Sequence, residues 1–179
     1  MTPPRLTPLL LALLLAGCST PTPLPDVATH IDAFTGLRTD VIPENLLEAG
    51  GQAREFLYLN ASRVFKSAGT CDYYLEVIYA AREEVGYLDI GPGPALSILA
   101  DGKEMKFTGN GSQHLRKKRN GVVTENALYP VQPDALRAIA NAQKVTVRAA
   151  GKSGLVQRDF APVNSERFRK FVKLCVPSK

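Results

Sequence analysis

Two segments of this 179-residue chain restrict its fold more than any others, residues 54–65 and 72–81. In the first, Leu57, Leu59 and Ala61 fall on one face of an extended chain, with Phe56 and Tyr58 on the other. In the second, Tyr73, Leu75, Val77 and Tyr79 share a face, and Ile78 and Ala80 lie behind them. Alternation with period two identifies both as strands. Because both faces are apolar, the spacing predicts central strands covered on each side, in a layered structure. The connection 66–70 is of hairpin length, so the two are expected to be antiparallel neighbours.

The turn chemistry of the remaining chain agrees with a β-rich fold. Asp101-Gly102 suits a two-residue type I′ turn, and pairing across it sets Leu96 opposite Phe107 and Ile98 opposite Met105, with Ser97, Leu99, Glu104 and Lys106 on the far face. Residues 27–42 read as a first strand and hairpin, 87–90 as a short strand, and 122–129, 144–149 and 155–160 as further strands. Residues 43–51 read as a helical turn containing Leu46 and Leu47, ended by Gly50-Gly51. Two short helices are expected. One spans about 133–142, with proline in its first turn and Leu136, Ile139 and Ala140 on one stripe. The other spans about 164–175, capped by Asn164, with Phe168, Phe171, Val172 and Cys175 facing inward. The expectation is a mainly β (α+β) single domain, 27–179, built as an antiparallel sheet or two-layer sandwich of about seven to nine strands.

A composition of 45% apolar and 22% charged residues belongs to a folded chain. The net charge of +5 is unevenly distributed: residues 1–102 hold 6 basic and 12 acidic side chains, residues 103–179 hold 16 and 5. Interleaved strands would neutralise the two halves against each other. Otherwise the C-terminal half presents a basic face to anionic lipid head groups, lipopolysaccharide or an acidic envelope protein. Its candidate residues are the run Arg116, Lys117, Lys118 and Arg119, beside Asn120-Gly121, and Arg167, Lys170 and Lys173 on the outer side of the last helix. The plain alternative for the run is an exposed turn; the functional one is a contact for phosphate groups, with His114 at its edge. Nucleic acid is not expected as a partner, because no stacking aromatics interleave these cations.

The chain opens with one positive charge, Arg5, an apolar run 9–16 and then Leu15-Ala16-Gly17-Cys18. A membrane span needs about 20 apolar residues, and this run is less than half of that. The four residues resemble the lipobox of bacterial lipoproteins. That resemblance implies a signal peptide 1–17, a diacylglycerol on the Cys18 thiol and a usually acylated new amino terminus. It also implies a place in the cell envelope; Ser19 after the cysteine goes with the outer membrane in such proteins. Residues 18–26, with three prolines, then read as a tether. With Cys18 lipidated, Cys71 and Cys175 remain, and in an oxidising compartment two such cysteines are expected to bridge.

Nothing in the chain carries a catalytic motif. It has no G-x-S-x-G and no H-E-x-x-H. Gly91-Pro92-Gly93-Pro94 is no phosphate loop, since prolines offer no amide hydrogen. Gly151-Lys152-Ser153-Gly154 lacks the glycine five residues earlier that a nucleotide loop needs, and reads as a hairpin turn. His30 with Asp32 is a surface pair more readily than a metal site. No catalytic residues, metal ligands or cofactors are therefore nominated. The expected role is a membrane-anchored binding or assembly module; the alternatives are an envelope hydrolase and a structural component contacting anionic lipid or lipopolysaccharide.

Overall fold

The two alternating segments lie side by side at the middle of a six-stranded sheet in the computed structural model, which describes residues 26–48, 54–66 and 69–178. The leader, Cys18 and the tether as far as residue 25 lie outside the described residues, as do Gly50 and Gly51. In chain order the strands are β1 (Ala28–Ile31), β2 (Arg38–Val41), β3 (Glu55–Phe65), β4 (Cys71–Arg82), β5 (Gly93–Ala100), β6 (Lys103–Gly109), β7 (Arg116–Arg119), β8 (Val122–Pro130), β9 (Val145–Gly151) and β10 (Gly154–Asp159); the helices are α1 (Pro133–Asn141) and α2 (Pro162–Cys175). One sheet has the order β1-β2-β3-β4-β8-β7 and the other β10-β9-β5-β6, with every pairing antiparallel.

The inner faces of both sheets and one stripe of each helix share a single core. Leu57, Leu59, Leu75, Val77, Ala127, Leu96, Ile98 and Val147 are fully buried there with Leu136, Ile139, Phe168 and Phe171. The mainly β, two-layer expectation holds. The β5–β6 hairpin also keeps its expected register, with Leu96 opposite Phe107 and Ile98 opposite Met105. Asp101 and Gly102 both have positive φ, 47° and 84°, as a type I′ turn requires. The Asp101 carboxylate then accepts hydrogen bonds from the amides of Gln143 (3.0 Å) and Lys144 (2.8 Å), tying the hairpin tip to the end of α1.

Several local expectations are corrected. Ten strands form among the described residues, above the expected seven to nine, partly because the basic run is a strand. Asn120 and Gly121, with φ of 52° and 73°, fold it back so that Arg119 opposes Val122. Residues 87–90 form no strand. Residues 43–47 are not a helical turn but an edge running irregularly along β3: Ile42 N–H donates to Ala61 (2.9 Å), Leu59 N–H to Asn45 (3.1 Å), and Leu47 N–H to Leu57 (2.9 Å). Pro43 keeps the preceding residue extended, and Glu44 at φ 47° takes up the extra residue as a bulge. Asn164 is not the N-cap of α2, which starts two residues earlier at Pro162 with Ala161 as cap. As the third helical residue its side chain accepts from the Ala161 amide (2.8 Å) and donates to Leu46 O (2.8 Å) and Asn45 Oδ1 (3.0 Å).

Residues 87–91 are held by hydrogen bonds that converge on one carboxyl group. Glu125 occupies an inward position of β8, between Val123 and Ala127, and is fully buried. It accepts from the amides of Asp89 (2.9 Å) and Ile90 (3.2 Å) and from the Ser112 hydroxyl (2.5 Å). Arg116 Nε lies 3.6 Å from the same group. The carbonyls of the segment are also taken: Leu88 and Asp89 accept from Ser153 and Lys152 in the β9–β10 turn, and Ile90 from Ser112. A side chain at Gly151 would meet Leu88 O at 2.0 Å, so glycine is needed for this docking. Nearby, the buried Tyr129 hydroxyl finds no hydrogen-bond partner among the described residues, and burial followed by the charge of Glu125 pushes its pKa up to about 12.

These two groups are expected to respond oppositely to deletion. Glu125→Ala strands two amides and a hydroxyl and should destabilise the domain by about 3–5 kcal/mol. Tyr129→Phe removes only an unpaired hydroxyl and should change stability by less than about 0.5 kcal/mol or raise it. Urea denaturation at unchanged m-value reads both.

Candidate binding surface

The outer face of the six-stranded sheet is not covered by any layer among the described residues. Both helices and the second sheet pack on its inner side, which leaves the second apolar face of β3 and β4 facing outward. Register places Phe56, Ala80 and Thr124 in one row, and Tyr58, Ile78 and Asn126 in the next. Leu46 bridges to Tyr58, and Leu128 lies beside Glu76. Phe56 is 39% exposed, Leu46 41% and Leu128 43%, while Tyr58 and Ile78 are half-buried. The expectation that both faces are covered is thus corrected: sequence alternation is apolar on both sides, but only one side has a partner layer. Between the apolar groups, Glu76 is held by the side-chain amides of Asn60 (3.1 Å) and Asn126 (2.9 Å).

Period-two alternation splits the basic run between the two sides of the sheet. Arg116, opposite Glu125, turns inward. It forms a salt bridge to Asp89, approaches Ser112 at 3.3 Å and covers the Tyr87 ring at 5.3 Å from the ring centre. Bonding to Arg116 leads the causes that hold the Asp89 carboxyl below its usual range. Lys118 pairs with Glu83. Lys117 and Arg119, opposite Thr124 and Val122, share the outward face with Phe56 and Ala80, and no ion pair engages either among the described residues. Arg82, 70% exposed, stands in the same row as Val122 and Arg119. One end of the open apolar face is therefore bordered by cations.

The structure does not bring the helix cations to this border. β7 is the far edge of the sheet, whereas α2 packs near β3 and the opposite edge. Arg167 is half-buried, and its guanidinium bonds to the carbonyls of Pro43 and Glu44, docking α2 on the bulged edge. Lys170 pairs with Asp26 (2.8 Å) and Glu166 (3.0 Å), and Lys173 is exposed. Pairs such as Asp89 with Arg116, Glu83 with Lys118, Glu55 with Arg158 and Asp26 with Lys170 join the acidic half of the chain to the basic half, so interleaving neutralises much of the sequence asymmetry.

Cys71 begins β4 and Cys175 ends α2, both as free thiols, with Cys71 half-buried and Cys175 buried. The Tyr73 hydroxyl and Arg63 each donate to Cys175 O at 2.9 Å, fastening the end of α2 to the inner face of the sheet. Arg63 also pairs with buried Asp40 (2.5 Å), which accepts from Thr29 (2.7 Å) and Arg38 (3.0 Å). Burial pushes the Asp40 carboxyl up, but these donors outweigh it and hold the group below its usual range. Burial pushes the Cys175 thiol up, so it is a poor nucleophile at neutral pH.

The outer face of the second sheet carries a polar groove of about 570 Å³, lined by Leu99, Glu104, Lys144, Thr146, Arg148 and Asp159 among others. Two pairs of its polar groups bond to each other: Thr146 to Asp159 (2.5 Å) and Arg148 to Gln157 (3.0 Å). No group of three or more metal-ligating side chains gathers among the described residues. Asp32 serves its own turn, accepting from the Thr35 amide and hydroxyl (both 2.7 Å). Comparison of the chain with protein-family models, with curated proteins and with solved structures finds no match. Sequence reasoning missed Glu125 and Asp40; a charged residue at an inward position of an alternating strand, between Val123 and Ala127, was the available signal for the first.

The split of the basic run makes a sharp expectation for single substitutions. Arg116→Ser removes the closer of the two cationic partners of Asp89 and a neighbour of buried Glu125, and should lower the melting temperature. Lys117→Ser and Arg119→Ser should each stay within about 0.5 kcal/mol of the parent. Melting of the three variants at one protein concentration distinguishes this from four equivalent surface charges.

Proposed function

We propose that the protein is a lipid-anchored component of the bacterial cell envelope, held at Cys18, and that it works as a binding or assembly module through the open face of its six-stranded sheet. One observation carries this reading: Phe56, Tyr58, Ile78 and Leu128 lie outward in a row-by-row apolar band that ends at Lys117 and Arg119, which no ion pair engages among the described residues. Apolar side chains displayed together, with charge at the margin, are the surface pattern of an interaction site. The chemistry fits an envelope partner with an apolar strip bordered by acidic groups. Strand pairing supports the band rigidly, so little ordering cost accompanies association.

A photo-reactive residue at Phe56 or Leu128 should trap one abundant adduct in cells, and Lys117→Glu with Arg119→Glu should reduce it at least tenfold. The same label at Leu155 on the other sheet should trap none. Equal trapping at all positions, or none anywhere, counts against the open face. The anchor is tested apart from the face: Cys18→Ser should move the protein out of the membrane fraction without changing its fold.

The oxidised envelope also favours a bond between Cys71 and Cys175, which would staple the end of α2 to the first residue of β4. A bridge closing so long a loop adds about 4–5 kcal/mol in the chain-entropy view. Non-reducing mass mapping of protein taken from an oxidising compartment should find these two joined, and reduction should lower the melting temperature. Two free thiols there refute the bridge.

A further inference from the structure

The turn between β1 and β2 displays three apolar side chains to water. Phe34 is 99% exposed, Ile31 67% and Leu37 41%. Single exposed leucines are ordinary, but a fully exposed phenylalanine between two such neighbours on a seven-residue tip is not. The tip is also fixed in shape. Asp32 Oδ1 accepts from the amides of Phe34 (3.1 Å) and Thr35 (2.7 Å) and from the Thr35 hydroxyl (2.7 Å). Asp32 N–H donates to Leu37 O (2.9 Å), and Gly36, at φ 67°, donates to Asp32 O (2.8 Å). The fold thus holds an aromatic ring away from every described neighbour.

We propose that this tip is a second membrane contact, entering the head-group and upper acyl layers of the bilayer that holds Cys18. The proposal rests on the anchor reading and adds an orientation to it. Residues 19–27 reach about 28 Å in the extended proline-rich form, whereas the chain from the start of β1 to Phe34 spans at most about 20 Å. The tether is therefore long enough to leave the bilayer at Cys18 and return to the start of β1 with Phe34 facing the lipid. A rigid apolar tip loses little conformational freedom on insertion, and one ring with two aliphatic neighbours suits shallow, interfacial depth. Thr35 holds the Asp32 carboxyl below its usual range, so its charge stays in the head-group layer and limits that depth. With the tip down and the chain tethered beside it, the rest of the domain is presented at a set angle instead of tumbling on its leash.

The chain contains no tryptophan, so Phe34→Trp reports the tip alone. The full-length protein carrying Phe34→Trp is reconstituted into phosphatidylcholine vesicles with and without brominated acyl chains. Emission should fall at least twofold in the brominated vesicles, while Leu155→Trp, 61% exposed at its parent position on the other sheet, should change by less than a tenth. Equal emission of Phe34→Trp in both lipids overturns the proposal, including the case in which the tip meets a protein. Intact mass reads the anchor separately. If no acyl chains are found on Cys18, the anchor reading fails, and the same ratio measured on chain mixed with vesicles still decides the tip.

Discussion

The buried carboxyl group of Glu125 is the constraint on which the placing of residues 87–91, and of β7 beside them, depends. A charged side chain at an inward strand position is costly unless its lone pairs are met, and here they are met by two amides of a segment with no strand partner and by one serine. The carboxyl therefore does for residues 87–91 what a neighbouring strand would do. Once that segment is fixed, Asp89 is in place for Arg116, the β9–β10 turn can dock through Gly151, and β7 has a reason to lie along β8 with Arg116 inward. The outward direction of Lys117 and Arg119 follows from the inward direction of Arg116, because neighbours on a strand point to opposite faces.

Much of the fold can be read in the sequence where local chemistry and burial agree. The Asp101-Gly102 turn, the facing pairs around it, the helix stripes at Leu136 and Phe168 and the antiparallel pair β3–β4 are all of this kind. What cannot be read locally depends on what lies across space. Residues 43–47 contain two adjacent leucines and look helical in isolation, yet Leu47 enters the core and Leu46 faces out because β3 offers its backbone to them. The basic run resembles a turn until the Asn120-Gly121 geometry supplies a partner strand. Charge sums per half of the chain say nothing about pairs such as Glu55 with Arg158, which form only when the sheets close on each other.

The most informative disagreement concerns β3 and β4. Apolar residues on both faces predict cover on both sides, and the described residues cover only one. Such a sheet is either left with an unfavourable exposed band or is completed by something else. Where every local signal is consistent except one, the exception is a reasonable place to look for function. The candidate site was half legible in this way: the residues of the band were identified as apolar and the cations as basic, but their sharing of one face needed the register. In the proposed reading, the open face and the exposed tip at Phe34 are two separate surfaces, one for a partner and one for the bilayer.

Amide hydrogen exchange at Asp89 and Ile90 tests the central claim most directly. Neither residue belongs to a strand or helix, so a loop without the Glu125 bonds would exchange within seconds to minutes at neutral pH, as unprotected amides do. If the carboxyl group organises this region, both amides should exchange as slowly as Val77 and Tyr79 in the central strand, and should lose that protection in Glu125→Gln while Val77 keeps it. Fast exchange at Asp89 and Ile90 in the parent protein would contradict the account.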